Sequence, residues 1–191
     1  MELLEFTLPP LPHYIASGRT EFAVGEKHMS RRHIGLFDML AVMKGCLYIG
    51  EEDRHYEVAE GNALILRPDA YHFATEGCRA TTDYYWLHFR TMGNWRATDT
   101  APPGRAPEPY DDRDESRKFD AGAFQLALPQ FAKLAHPGRF GELMDQIIAL
   151  GPEAHLNASR FKQQVLFQEA LRQLSASIES QLTSPAVACA E

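Results

Sequence analysis

The chain has 191 residues and a formal net charge of −7, with 19 Lys and Arg against 26 Asp and Glu. Hydrophobic residues make up 45% and charged residues 24%, the mix of a globular protein long enough to bury a core without staples. The acidic balance argues against a chain that grips nucleic acid by its own surface, because phosphate contacts need a basic face. No apolar run approaches the ~18 residues that span a bilayer, so no membrane partner is expected.

Three cysteines, Cys46, Cys78 and Cys189, are scattered and include no CxxC pair. That excludes a zinc ribbon or a disulfide framework and fits reduced thiols in a cytoplasmic protein. Glu2 and Glu5 precede the first basic side chain, Arg19, the wrong order for a secretory signal.

Residues 1–95 carry short strand-like runs punctuated by glycine. The apolar run 36–43 reads as a buried strand, followed by a turn at Gly45. Runs 46–49 and 54–58, joined by the acidic turn 50–53, read as a hairpin. Glu51, Glu52 and Glu60 fall on turns and are expected in solvent. Residues 63–66 form the next strand, which Pro68 and Asp69 break. Strands follow at 71–74 and 82–90. In the latter, alternation puts Tyr84, Trp86 and His88 on one face and Tyr85, Leu87 and Phe89 on the other. Many short strands at close spacing predict a sandwich or small barrel.

Residues 96–118, with four prolines and a charged run at 111–115, read as an exposed loop. Beyond it the chain is helical apart from a short run at 124–128. Phe140, Leu143, Met144, Ile147 and Ile148 form one apolar stripe, closed by Gly151. Pro152 suits the first turn of a second helix. Its stripe of Phe167, Leu171, Leu174, Ile178 and Leu182 is read as either a packing face or a dimer contact, and Pro185 stops it.

The most specific spacing is Gly61-x6-Pro68-x3-His72, preceded by Asp38-x6-Gly45. These resemble the two motifs of cupins, which implies a double-stranded β-helix barrel. Metal-binding cupins carry H-x-H before the acid, and here those positions read Arg31-Arg32-His33. A set of His33, Asp38 and His72 remains conceivable as a 2-His-1-carboxylate site. An arginine beside a dication is electrostatically unfavourable, so no metal and no other cofactor is expected. In the competing reading His72 is a polar wall residue and Asp38 pairs with an arginine.

Arg32-x-x-Gly35, the turn at Gly45, Gly61…Pro68…His72 and the run Tyr85-Trp86-Leu87-His88-Phe89 together resemble the effector domain of AraC-type transcription regulators. The resemblance implies a mainly β fold with C-terminal helices: a cupin-like barrel followed by a helical dimerisation segment. Its divisions would be an N-terminal arm (1–12), an effector-binding barrel (13–128, with the loop 96–118), dimerisation helices (129–184) and the start of a linker (185–191). DNA would be bound only through a helix-turn-helix domain absent from this chain.

In such regulators a small effector, often a sugar, sits inside the barrel under the arm. The expected ligand-binding residues are Arg32, His72, Tyr84, Trp86 and His88. Arginine offers a fork of donors and the indole an apolar platform. Alternatively, Trp86 simply fills the core. Either Arg31 or Arg32 must face inward, and Arg32 is the expected one. The arm, stiffened by Pro9, Pro10 and Pro12, is either a plug carrying Phe6 and Leu8 or a disordered terminus. Phe167, Leu171, Leu174 and Ile178 are the expected contacts of a homodimer. No catalytic residue is assigned. The alternative is a metal-dependent cupin enzyme, a dioxygenase or sugar isomerase; a free-standing carbohydrate-binding module is a third reading.

Overall fold

A computed structural model describes residues 2–99 and 123–183, with side chains to residue 178. Residues 100–118 of the expected loop, Cys189, the side chain of Leu182 and the segment 185–191 lie outside the described residues.

Among the described residues twelve strands precede two helices: β1 (Leu3–Leu8), β2 (His13–Phe22), β3 (Arg31–Arg32), β4 (Phe37–Lys44), β5 (Cys46–Glu51), β6 (Arg54–Ala59), β7 (Asn62–Leu66), β8 (Tyr71–Ala74), β9 (Thr82–Arg90), β10 (Trp95–Thr98), β11 (Phe124–Pro129), β12 (Phe131–Lys133), α1 (Pro137–Ala149) and α2 (Asn157–Thr183). One sheet has the order β12-β7-β4-β9-β2, a second β3-β8-β5-β6, and a third β10-β1-β11. Every pairing is antiparallel. From β4 to β9 the chain passes repeatedly between the first two sheets, the winding of a double-stranded β-helix. The cupin-like barrel followed by helices is therefore the observed fold.

Strand alternation divides the core in two. Leu40, Val42, Leu64, Leu66 and Tyr84 of the five-stranded sheet meet Leu47, Ile49 and Val58 of the four-stranded sheet inside the barrel. The other face of the five-stranded sheet (Met39, Ala41, Ile65, Tyr85, Leu87 and Phe89) packs against β1, β11 and both helices. Gly45 closes the β4–β5 turn at φ 79°, and a Cβ there would lie 2.5 Å from Thr82 Oγ1. Only glycine combines that dihedral with that approach.

Four expectations need correction. The N-terminal arm is neither a disordered terminus nor a loose plug. Leu3–Leu8 is a strand paired on both edges, and Phe6, wholly buried, lies 5.2 Å from the Phe37 ring. Alternating Leu4, Phe6 and Leu8 supply the apolar face that sheet packing requires. Residues 96–98 are not loop but part of β10, held in register with β1. Pro152 sits in a 3₁₀ turn, Gly151–Glu153, and the second helix begins only at Asn157.

The fourth correction concerns the expected dimer contacts. Phe167, Leu171, Leu174 and Ile178 are 0, 1, 1 and 8% exposed. Phe167 stacks near Tyr14 and Phe89, at 6.3 and 5.4 Å. The protein's own barrel covers that stripe, so it is not free to meet a second copy. Gln164 and Gln168 reinforce the docking by donating to the Pro12 carbonyl, at 2.9 and 2.7 Å.

Candidate functional site

The barrel interior gathers polar groups that its apolar lining cannot satisfy. Asp38 on β4 stands directly opposite His88 on β9, and Asp38 Oδ1 is 3.4 Å from His88 Nε2. His28, from the loop between β2 and β3, places its Nε2 4.0 Å from Asp38 Oδ2. Its ring centroid lies 5.7 Å from that of His72 and 6.4 Å from Tyr84. His72, on β8, pairs in register with Arg31 of β3. Three imidazoles, one carboxylate and one guanidinium thus face one another across the two sheets.

Burial dominates the electrostatics. His72 has no exposed surface, and its pKa is pushed down to about 4. Loss of water is the largest cause, and His28, Arg31 and His88 add to it against the opposing charge of Asp38. Burial also lowers His28 and pushes the Tyr84 hydroxyl up to about 12. Near neutral pH His72 is therefore an uncharged ring with one donor and one acceptor nitrogen. Neither nitrogen has a hydrogen-bond partner, whereas Asp38 Oδ1 has the His88 imidazole 3.4 Å away. Buried polar atoms are normally paired, so the two unpaired nitrogens of His72 are the exception in this interior.

Of the expected residues, Tyr84, Trp86, His88 and His72 do meet here, and strand parity is the reason. The Trp86 indole lies flat on Gly18 directly across β2, where any side chain would collide with the ring. Its Nε1 donates to Thr20 Oγ1 at 3.2 Å, and its ring stands 5.1 Å from His88. Trp86 packs on the inner core while keeping part of its surface open.

Arg32 does not meet them. It is exposed on the outer face of the four-stranded sheet, with its guanidinium 4.3 Å above the Tyr71 ring. Arg31, one residue earlier, faces inward, because neighbouring strand residues point to opposite faces. His33 is exposed in a positive-φ turn, at 49°, so the set His33, Asp38 and His72 does not assemble. Among the described residues no three His, Cys, Asp or Glu converge as ligands of one ion.

Sequence reading missed His28, since its loop has no periodicity to mark it. It also misplaced Glu51, which is buried at 3% exposure rather than solvated. Glu51 accepts from the Arg67 amide at 2.6 Å and from Gln130 Nε2 at 2.5 Å. Its carboxyl pKa is nevertheless raised, by burial above all.

No established family profile matches the chain. An uncharacterized HTH-type transcriptional regulator, YisR of Bacillus subtilis (strain 168), is 32% identical over 175 residues. The alignment covers 91% of this chain, which spans 58% of that relative's length. Among solved structures, the Schizosaccharomyces pombe Cnp3 cupin domain aligns at 14% identity and a TM-score of 0.36, over 46% of this chain and 61% of that one. An oxalate oxidase aligns at 23% and 0.33, over 39% and 41%. A cupin protein from Bacteroides fragilis aligns at 13% and 0.33, over 46% and 76%. Likeness at this level says nothing about shared chemistry.

Proposed function

We propose that this chain is the effector-sensing part of an AraC-type transcription regulator. It would bind a small polyhydroxylated molecule, such as a sugar, inside the barrel. One observation carries the reading: both nitrogens of the wholly buried His72 lack a partner in the same barrel interior that Trp86 packs against. Vicinal hydroxyls both donate and accept, which matches neutral imidazoles beside a carboxylate, and an indole suits the apolar face of a sugar ring. Tyr84, His88 and the inward Arg31 complete the set, with Arg31 in the role expected of Arg32. The similarity to an HTH-type regulator supports the regulatory part of the proposal. DNA would be bound in the cytoplasm by a helix-turn-helix region outside this chain. Copies would pair through the outer face of α2, where Phe161 and Val165 are 71 and 51% exposed.

The same imidazoles and carboxylate are also the ligand types of a metal-dependent cupin enzyme, which is the second reading. A thermal-shift screen of sugars, polyols and organic acids, with elemental analysis of the purified chain, separates the two. A ligand that binds only the native state stabilises it by RT ln(1 + L/Kd), with L the free ligand concentration, and so raises Tm. The sensing reading expects a polyol or sugar whose shift disappears in Trp86→Ala. About one iron, manganese or zinc per chain, with no stabilising polyol, would replace it with the enzyme reading.

A further inference from the structure

The barrel holds a second polar chamber that the effector reading does not use. Strand β7 separates the two. On one flank Leu66 pairs with Asp38, and on the other Leu64 pairs with Phe131. Glu51, opposite His72, accepts from Gln130 and so links the two sides, while both leucines of β7 are fully buried. Beyond β7, between the edge strands β6 and β12, opens a cavity of about 660 Å3, within the size range of small-molecule sites.

Its walls are chemically uneven. Tyr56 and Phe131 form an aromatic face, with ring centroids 5.9 Å apart and planes 28° from parallel. The Tyr56 hydroxyl donates to Gln130 Oε1 at 3.2 Å. Gln130, only 1% exposed, in turn donates to Glu51, so that wall is held rigidly. Lys133 shares the strand face of Phe131, two residues on or about 7 Å along β12. Asn62 stands directly opposite Lys133. At the rim, Arg54 is tied to Glu2, which also faces Arg67. Among the described residues Lys133 has no carboxylate within ion-pair distance. The chamber therefore combines a flat apolar wall with one uncompensated ammonium and a neighbouring amide donor.

We infer that this cleft between β6 and β12 is a second ligand site, specific for a small aromatic carboxylate. The ring lies against Phe131 and Tyr56, where stacking and apolar burial hold it. The carboxylate meets Lys133 and the Asn62 amide. Charge-assisted hydrogen bonds make the anion, rather than its neutral analogue, the preferred form.

Calorimetric titration with 2-naphthoate and its neutral amide, 2-naphthamide, tests it on the full chain. Saturable one-to-one binding of the acid is expected, with the amide at least about tenfold weaker. Lys133→Met should weaken the acid by at least about tenfold, leave the amide unchanged, and preserve the thermal transition, because Lys133 is exposed. Phe131→Ala should weaken both probes. Trp86→Phe, on the far side of β7, should alter neither. Absence of saturable naphthoate binding at millimolar concentration overturns the inference. So does equal affinity for acid and amide, or a loss seen in Trp86→Phe but not in Lys133→Met.

Discussion

His72→Leu is expected to stabilise the ligand-free protein while removing effector binding. Burying a polar group without a partner costs about 1–3 kcal/mol, and both ring nitrogens of His72 are orphaned at zero exposure. Leucine is close in size and belongs to the surrounding core chemistry, so about 1–3 kcal/mol should be recovered at pH 7. In a chain of this length that raises Tm by roughly 2–4 °C per kcal/mol. The pH dependence supplies a second and sharper signature. Unfolded His72 takes up its proton near 6.5, whereas the folded ring resists until about 4. Between these values the unfolded state binds more protons, so stability is lost as pH falls from 6.5 to 4. At roughly 1.4 kcal/mol per pH unit, that interval amounts to about 3 kcal/mol. His28, also lowered by burial, contributes in the same direction and stays in the variant. Urea unfolding at pH 7, 5.5 and 4 should show a distinctly flatter acid limb for His72→Leu. An acid limb as steep as the wild type's, or a large loss of stability at pH 7, would refute the claim that this ring is buried neutral and unpaired.

Three further substitutions separate the elements of the structure. Leu171→Ala should destabilise the monomer by about 2–5 kcal/mol in denaturant unfolding, the cost of a cavity in a core position 1% exposed; a stable, merely dissociated chain would contradict the intramolecular packing. Phe161→Glu with Val165→Glu should leave folding intact and shift any self-association in sedimentation toward monomer; unchanged dimerisation would remove α2's outer face from the interface. Arg31→Met should weaken a polyol identified by thermal shift by at least about tenfold, whereas Arg32→Met should not, because Arg32 lies outside on Tyr71. The reverse pattern would restore Arg32 to the pocket.

Local chemistry alone determined much of this protein. Turn glycines, the proline break after 66 and period-two alternation in 82–90 mark strands whatever surrounds them, because they express dihedral limits and side-chain direction. The spacing Gly61-x6-Pro68-x3-His72 pointed to a barrel through its resemblance to cupins, and the structure buries His72 inside one. Alternation likewise set Tyr84, Trp86 and His88 apart from Tyr85, Leu87 and Phe89. Tertiary structure decided the rest. The partner of the α2 stripe was undecidable from its sequence, since an apolar face looks the same whether it meets a barrel or a second helix. The inward choice of Arg31 over Arg32 rests on a two-residue strand whose phase is set only by its register with β8. Glu51 reads as a turn residue until the fold brings Gln130 and the Arg67 amide, 79 and 16 residues away, to its oxygens. His28 joins Asp38 because three strands and a loop converge in space. Hydrogen bonds and burial between distant residues are properties of that convergence, and no local pattern encodes them.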